Sequence, residues 1–467
     1  MRTDRGAAAV SISMIAALAV TLAGCGADSE NASAPSSSAA ATTPLNPFEQ
    51  QRYDGVTALL DQLSSTLSSG DRGGLDALVD PAATAAFRRH LDSIAADFAA
   101  APHKSPLKLK EFRYRVAPQT GPEHLLEPDF EAKLEAAGAT DSWVTPVDLD
   151  YALGGASAPG LDEPTVTLHQ SLTFARYGDD WKVVGDGGLA PDPSQAELEN
   201  PKAPDIGPWA FPGLEATDSR TSGGTSTVLD YRGAERTAAD VAQILPGAVD
   251  AVSEFWGDDW VRRAAVIATA DDAQFAGLTR TAPGDTSAAA AATVFTKIDR
   301  QNQQVIGQRI VLTPSARQLS KPALAVILRH ELTHVASRLS TAQNAPLWLT
   351  EGVPEYVGRK GTYRDLVDAA PELAAAVAAG DVPKALPSDG AFSVSTDAAR
   401  VAYQAAWSFA AYVAGKYGEE KLKKMYVEVG KGGDTETTDA AMKDALGVDK
   451  SKVVADWQAW LRAQTRR

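Results

Sequence analysis

Three observations on the sequence predict an α+β protein. Residues 47–190 begin with helical periodicity and continue with strand-like alternation. After residue 209, short apolar strand patterns accompany one long amphipathic helical pattern. From Ser320 to the end, the periodicity is almost entirely helical. Strands and helices that occur in groups, and do not alternate strictly, are typical of the α+β class.

The composition limits the possible partners. The chain has 467 residues, 44% of them apolar, which is enough for two or three domains with sizeable cores. Its 44 basic and 60 acidic residues give a net charge of −16. Because such a polyanion is repelled by DNA, no nucleic-acid partner is expected. The single cysteine, Cys25, allows neither an intrachain disulfide nor a thiolate-rich zinc site.

The first 25 residues carry an export pattern. Two arginines precede an apolar stretch from residue 7 to 20, and the segment Leu-Ala-Gly-Cys follows at residues 22–25. This segment resembles the bacterial lipobox, whose cysteine is lipidated and becomes the first mature residue. The alternative is a transmembrane anchor, because the apolar run approaches membrane-spanning length. The resemblance implies an extracytoplasmic lipoprotein that is anchored to the cell membrane through Cys25.

Two linkers divide the rest of the chain. Residues 26–46 are small, polar and rich in serine and proline, so they cannot bury a core and are predicted to form a flexible linker. Residues 191–208 contain five prolines and several acidic residues, which predicts a domain boundary. The expected domains are therefore residues 47–190 and residues 209–467.

The first domain is predicted to place helices before a sheet. Val56, Leu59 and Leu63 have helical spacing. Strand-like alternation follows at residues 108–116, 144–153, 165–174 and 181–184, with a turn at 178–180. Helices followed by a curved antiparallel sheet resemble the NTF2-like cone fold. This resemblance rests on the pattern of elements and on no motif.

The second domain begins with strands at residues 228–231, 264–268 and 304–312 and a helix at residues 238–256. The next helix has Ser320 as its N-cap and a proline in its first turn. It contains His330-Glu331-Leu332-Thr333-His334.

This HExxH segment has the spacing of a metal site. Residues four apart lie on nearly the same face of a helix, so the imidazoles of His330 and His334 can meet one metal ion, with Glu331 beside it. The segment matches the zincin pattern, which predicts one zinc ion per chain. A structural pair of core histidines is the alternative. Against it, these are the only histidines after residue 169.

A second motif follows in the segment Leu-Trp-Leu-Thr-Glu-Gly at residues 347–352. HExxH followed by WLTEG resembles the gluzincins, in particular the peptidase MA-like and aminopeptidase-N-like groups, over the C-terminal third of the chain. The resemblance implies that Glu351 is the third zinc ligand and that Glu331 is the general base. Pro354 departs from the small residue common in these families, and the spacing from His334 to Glu351 is slightly short.

Two further residues are candidates for the site. Glu355 lies four residues after Glu351 and could orient a zinc-bound histidine, with a surface carboxylate as the alternative. Tyr403 matches the tyrosine of the aminopeptidase-N-like families that stabilises the oxyanion, with a buried structural phenol as the alternative. Zincins commonly bind an extended peptide along a strand edge, so residues 304–312, which include Arg309, are expected to form that edge.

The resemblance implies a zinc metallopeptidase that acts on peptides or proteins. Aminopeptidases of the related family hold the substrate amine with a GxMEN segment, and residues 285–312 contain none, which favours an endopeptidase. The alternative function is a non-catalytic surface binding or scaffolding lipoprotein with a zincin fold. The intact Glu331 argues against that alternative.

Overall fold

The computed structural model describes residues 46–99, 107–118, 126–154, 162–186, 206–280, 290–363, 365–392 and 397–465. The predicted signal peptide with Cys25 lies outside the described residues, as do most of the linkers 26–46 and 191–208. Within the described part of the chain, no helix combines the length and the apolar character that a membrane span requires.

The first region places three helices before an antiparallel sheet of four strands, β1-β2-β3-β4 in spatial order. Helices before a sheet is the predicted order, although α4, between β1 and β2, was not predicted. The resemblance to the NTF2-like cone remains a prediction. The elements are α1 (Pro47–Ser69), α2 (Arg72–Leu78), α3 (Ala85–Phe98), β1 (Leu109–Val116), α4 (Pro128–Ala136), β2 (Asp141–Leu153), β3 (Val166–Tyr177) and β4 (Asp180–Gly185).

Local sequence determines where α1 begins and ends. The side chain of Asn46 accepts hydrogen bonds from the first turn, and the carboxylate of Glu49 accepts one from the backbone N–H of Asn46, which forms a capping box. The helix ends at Gly70, whose φ of 69° suits glycine. Its apolar face, which includes Val56 and Leu63, is buried in the core.

The second region contains a mixed sheet of five strands in the order β5-β6-β7-β11-β8. Strand β7 is parallel to both β6 and β11, whereas β8 pairs with β11 in antiparallel orientation. A separate hairpin contains β9 and β10. The elements are β5 (Glu215–Thr221), β6 (Gly224–Asp230), α5 (Glu235–Trp256), β7 (Ala265–Ala268), α6 (Asp272–Thr279), β8 (Ala291–Val294), β9 (Lys297–Asp299), β10 (Gln304–Ile306) and β11 (Arg309–Leu312).

The prediction that residues 304–312 form one edge strand is wrong. The chain breaks at Gly307, whose φ is 66° and where a Cβ atom would collide with the side chain of Thr296. The residues before the break belong to the β9–β10 hairpin, and those after it form β11. Because β7 and β8 flank β11 on its two sides, the sheet ends at β8, not at Arg309.

The remainder is helical, as predicted. Helix α7 packs against α5 and α9, and α12 packs against α9. The helices are α7 (Lys321–Ser337), α8 (Leu347–Thr350), α9 (Gly352–Arg359), α10 (Leu366–Ala369), α11 (Pro371–Ala378), α12 (Asp397–Tyr417), α13 (Glu419–Val429), α14 (Thr435–Leu446) and α15 (Lys450–Gln464).

One hydrophobic core joins the two regions. Trp209 lies after the predicted boundary, and its ring makes edge-to-face contacts with three aromatic rings of the first region. Their centroids lie 5.5 Å away for Phe98, 5.3 Å for Phe112 and 4.8 Å for Tyr151. The same cluster continues into the mixed sheet through residues such as Ile267. The regions on either side of residues 191–208 are therefore packed against each other.

A buried ion pair crosses the same interface. The guanidinium of Arg309, at the start of β11, donates to both carboxylate oxygens of Glu163. The distance from Arg309 Nη2 to Glu163 Oε1 is 2.7 Å. Glu163 also accepts a hydrogen bond from the backbone N–H of Leu153, at the end of β2. Arg309 therefore connects the mixed sheet to the first region.

Candidate metal centre

The two histidines of the HExxH segment lie on successive turns of α7. The apolar residues of this helix, such as Leu328 and Leu332, are fully buried in the core, which fixes the orientation of the helix. Ser320 caps the first turn of the helix, as the sequence predicts. The Nε2 atoms of His330 and His334 are 3.1 Å apart, and both rings are buried.

The junction of α8 and α9 brings Glu351 to these rings. One carboxylate oxygen lies 3.4 Å from His330 Nε2, and the other lies 3.8 Å from His334 Nε2. The next residue, Gly352, packs directly on α12, where a Cβ atom would lie 2.6 Å from the carbonyl oxygen of Ala406. Pro354 lies in the first turn of α9, where a missing N–H costs little. Pro354, which departs from the family pattern, therefore does not interrupt the helix.

These three side chains fit a zinc ion. Zinc bonds of 2.0–2.2 Å place neighbouring ligand atoms of a tetrahedral site about 3.4 Å apart, close to the separations found here. Glu351 is only 1% exposed, yet neither of its carboxylate oxygens has a hydrogen-bond partner among the described residues. Such buried acceptors are costly unless a cation satisfies them. Three protein ligands also leave a fourth position open, as a catalytic zinc requires.

The electrostatics of the cluster favour a cation. Burial raises the pKa of Glu351 to about 7, against the influence of His330. Burial lowers the pKa of His330, but Glu351 and the neighbouring Glu355 and Glu331 outweigh it and raise that pKa to about 9. Burial and the neighbouring His330 hold the pKa of His334 well below its usual value. Glu331 and Glu355 also repel the charge of Glu351, and a cation bound to Glu351 would offset that repulsion.

Glu331 is held by a strand that the sequence did not reveal. Its Oε2 atom accepts a hydrogen bond of 2.6 Å from the hydroxyl of Thr293, on β8. Its Oε1 atom is buried and has no partner among the described residues. Burial raises the pKa of Glu331, while His330 and the Thr293 hydroxyl lower it. Residues 290–293 read Ala-Ala-Ala-Thr, and this small-residue composition gave no strand signal.

Glu355 is buried, which removes the surface-carboxylate alternative for this residue. Its Oε1 atom lies 3.6 Å from Nδ1 of His330, which is beyond hydrogen-bond length. Its other oxygen pairs with Arg359, one turn later in α9. Arg359 in turn donates to the carbonyl oxygen of Ala369 at 3.0 Å. Glu355 is therefore fixed on the far side of His330 from Glu351.

Tyr403 lies in α12 and is buried beside the same carboxylates. Its ring packs edge-to-face on Phe392, with centroids 5.1 Å apart. Burial, and then the charges of Glu351 and Glu355, raise the pKa of Tyr403 well above its usual value. The phenol therefore stays protonated and can act as a hydrogen-bond donor.

One part of the chain resembles a known protein superfamily. Residues 309–463 match the sequence profile described as the Peptidase MA superfamily. That stretch contains every residue predicted for the metal centre. No curated protein matches the chain.

Several solved structures resemble the chain at low identity. The M1 zinc metallopeptidase from Deinococcus radiodurans is 14% identical over 68% of this chain and 61% of its own, with a TM-score of 0.30. A mutant of that enzyme is 14% identical over 68% of this chain and 62% of its own, with a TM-score of 0.31. A mutant bound to a Tyr-Ser-Ala substrate is 13% identical over 68% of this chain and 61% of its own, also with a TM-score of 0.31. The chain thus spans less than two thirds of the length of these structures. The match of residues 309–463 to the Peptidase MA superfamily supports the predicted gluzincin-like fold for that part of the chain.

Proposed function

We propose that this protein is a zinc-dependent peptidase. One observation carries the proposal: the ligand atoms of His330, His334 and Glu351 lie within 4.8 Å of one another, with Glu331 beside them on the same helix. The profile match over residues 309–463 supports the same class of enzyme. One zinc ion per chain would be held by these three ligands.

The reaction divides between the metal and the side chains around it. When bound, zinc supplies a Lewis acid that polarises the scissile carbonyl and acidifies water. Glu331 takes a proton from the attacking water and returns it to the leaving amine. The free Oε1 atom is the oxygen available for this transfer, because Thr293 holds Oε2.

Tyr403 is the proposed donor to the oxyanion that develops on the carbonyl oxygen. Its hydroxyl is kept protonated by burial and by the nearby carboxylates. One preorganised donor of this kind is typically worth about 3 kcal/mol in the transition state. Glu355 is proposed to keep the ring of His330 in place, since a carboxylate beside a metal-bound imidazole fixes the orientation of that ring.

We propose a peptide or protein substrate that is cut internally. Strand β8 is the last strand of the mixed sheet and lies beside Glu331, and an extended peptide can add to such an edge. The GxMEN segment of aminopeptidases is absent from residues 285–312. The proposed activity is therefore that of an endopeptidase.

We also propose that the enzyme is anchored outside the cytoplasm by lipid at Cys25. The proposal rests on the lipobox-like segment at residues 22–25. In a bacterial host fed a labelled fatty acid, the full chain should incorporate label and fractionate with membranes. A Cys25→Ser variant should do neither. Equal labelling of both proteins would contradict the anchor.

Metal content and cleavage together test the peptidase proposal. The form lacking residues 1–25 should contain about one zinc per chain, measured by mass spectrometry. It should cleave members of a peptide library. A Glu331→Gln variant should keep the zinc and lose the cleavage. Absence of zinc would contradict the site, whereas zinc without any cleavage would favour a binding or scaffolding protein.

A further inference from the structure

A buried arginine lies next to the metal centre along α7. Arg338 follows His334 by four residues and begins the short 3-10 turn Arg338–Ser340 at the end of the helix. Residues four apart share a helical face, so Arg338 continues the row formed by His330 and His334. Its exposed fraction is 7%.

This guanidinium has no ionic partner in the part of the chain that the structure describes. Among the described residues, no carboxylate forms an ion pair with Arg338, and its Nε atom is buried without a hydrogen bond. Its guanidinium carbon lies 4.7 Å from the ring centroid of Phe295, so one face of the group is covered by an aromatic ring. The strongest electrostatic attraction on the group comes from the phenol of Tyr426, and Glu351 and Glu331 act on it without forming an ion pair. Arginine is almost never buried to this degree without a paired charge.

Arg338 lies beside the end of the edge strand β8. Thr293 on β8 contacts Glu331, and Phe295, two residues later, contacts Arg338. Strand β8 therefore runs beside α7 in the direction from Glu331 to Arg338. An extended chain covers about 7 Å in two residues. A peptide that lies along β8 thus reaches Arg338 about two residues from the bond at Glu331.

We propose that Arg338 binds a carboxylate of the substrate about two residues from the scissile bond, which makes the site selective for peptides that are acidic there. The inference rests on the proposed peptidase function and names the substrate class of that site. Arginine suits the task because its planar group donates two parallel hydrogen bonds to one carboxylate. The carboxylate can belong to an acidic side chain or to the end of a peptide.

Matched peptides test the proposal. In the first pair, one peptide has Glu and the other has Gln two residues from the cleaved bond, and both have an amidated C-terminus. The pair is made twice, once with this residue before the bond and once with it after the bond. A third peptide has Gln at that place and a free C-terminal carboxylate two residues after the bond. Each is given to the zinc-loaded protein, to Arg338→Met, to Arg338→Lys and to the control Arg300→Ala. Arg300 is exposed and lies near Leu339, so its removal changes local charge without touching the buried group.

The expected result is a loss of selectivity in one variant. The unmodified protein and Arg300→Ala should favour a carboxylate-bearing peptide over the neutral one by about tenfold to hundredfold in kcat/KM. Arg338→Met should remove that preference and leave the neutral peptide within about twofold. Arg338→Lys, which keeps the charge but not the paired geometry, should lie between them. Preference for the Glu peptide identifies a side chain, and preference for the free terminus identifies a chain end.

A structural role gives a different pattern. If Arg338→Met and Arg338→Lys both lose zinc, or cleave all three peptides equally poorly, Arg338 only balances the charges of Glu331 and Glu351 and the proposal is overturned. Binding to a zinc-loaded Glu331→Gln protein, followed by fluorescence anisotropy, separates this inference from the peptidase proposal. If no peptide is cleaved but a carboxylate-bearing peptide binds in an Arg338-dependent manner, the subsite stands and the peptidase proposal fails. Equal binding of all three peptides overturns the subsite.

Discussion

At the scale of single residues, the two oxygens of Glu331 have different surroundings. Oε2 is held by the hydroxyl of Thr293, and Oε1 has no partner among the described residues. A carboxylate that rotates freely would offer either oxygen in many directions. The hydroxyl removes that freedom, so the oxygen that exchanges a proton with water is already oriented. Thr293 is in this sense a positioning residue for the general base.

Replacing Thr293 tests this role. We expect Thr293→Val to lower kcat by about tenfold to hundredfold, because a hydrogen bond to a charged group contributes roughly 1.5–3 kcal/mol. KM and zinc content should change little. Thr293→Ser restores the hydroxyl and should recover most of the activity in steady-state kinetics. A serine variant as impaired as the valine variant would show that the methyl group, not the hydroxyl, matters.

Tyr403 gives a second prediction at this scale. Tyr403→Phe keeps the ring on Phe392 and removes the donor. If the hydroxyl stabilises the oxyanion, kcat should fall by about a hundredfold or more while zinc stays bound. Tyr412 lies on the same helix, so Tyr412→Phe is a matched control and should retain activity. Unchanged kcat in Tyr403→Phe would leave the tyrosine a structural phenol.

The sequence revealed these residues unequally. His330, Glu331 and His334 lie within little more than one turn of a helix, so their spacing alone predicts a shared metal site. Glu351 was predicted by resemblance to known families, because its distance along the chain carries no geometry of its own. Thr293 could not be predicted, since only the pairing of β8 with β11 brings it to Glu331.

At the scale of elements, close packing of α9 fixes the metal ligands. Gly358 faces α7, where a Cβ atom would lie 2.8 Å from the carbonyl oxygen of Val326 and 3.4 Å from Cβ of His330. The two helices approach so closely because no side chain separates them. Glu351 lies just before α9, so its distance to the histidines depends on this contact.

Gly358→Ala is therefore expected to push α9 away from α7. Overpacking of this kind costs about 1–3 kcal/mol, and the variant should also bind zinc more weakly. Thermal unfolding and metal titration measure the two effects. The control is Gly247→Ala in α5, where a Cβ atom meets nothing within 4 Å. That substitution should be neutral or stabilising, because alanine favours helix more than glycine does.

Strand β6 gives a pH-dependent prediction. Burial, with repulsion from Glu215 and Glu235, raises the pKa of Asp230 from 3.8 to about 7. The folded state then binds more protons than the unfolded state between these values, so this carboxyl costs stability as pH rises through that window. We expect Asp230→Asn to raise Tm by a few degrees at about pH 8 and hardly at about pH 4. Asp250→Asn, at an exposed position in α5, should change Tm at neither pH.

Helices and strands could be predicted where apolar residues alternate or recur at helical spacing. Strands β1 to β4 have clear alternation and were predicted within a few residues, whereas for α1 the sequence predicted a helix without its bounds. Residues 304–312 were predicted as one strand, because an apolar run does not show where glycine breaks it. Strand β8 was not predicted, because three consecutive alanines show neither the alternation of a strand nor the repeat of a helix.

At the scale of the whole molecule, one hydrophobic cluster crosses the predicted domain boundary. Trp209 and the Glu163–Arg309 pair connect the first region to the mixed sheet. Breaking a buried ion pair by removing one partner typically costs about 3–5 kcal/mol, because the other charge stays buried. The metal centre therefore depends on the first region for the stability of the sheet beneath it.

One substitution, its control and a fragment of the chain test this dependence. Glu163→Gln should lower the free energy of unfolding by about 3 kcal/mol or more in a denaturant titration. Asp61→Asn removes an exposed partner of Arg113 and should have little effect. Residues 209–467 alone should be poorly soluble or lack a cooperative transition. A cooperative transition for that fragment, at the midpoint of the full chain, would contradict the shared core.

The Glu163–Arg309 pair also has a consequence for folding speed. It joins residues that are 146 positions apart, and the aromatic cluster around Trp209 likewise joins distant segments. High contact order slows folding, because the entropy of closing a long loop is lost before the contact is made. During synthesis, the first region can complete its core only after β11 has emerged from the ribosome. A nascent chain therefore exposes apolar strands for longer than two independent domains would, and a folding helper that shields such strands should raise its yield.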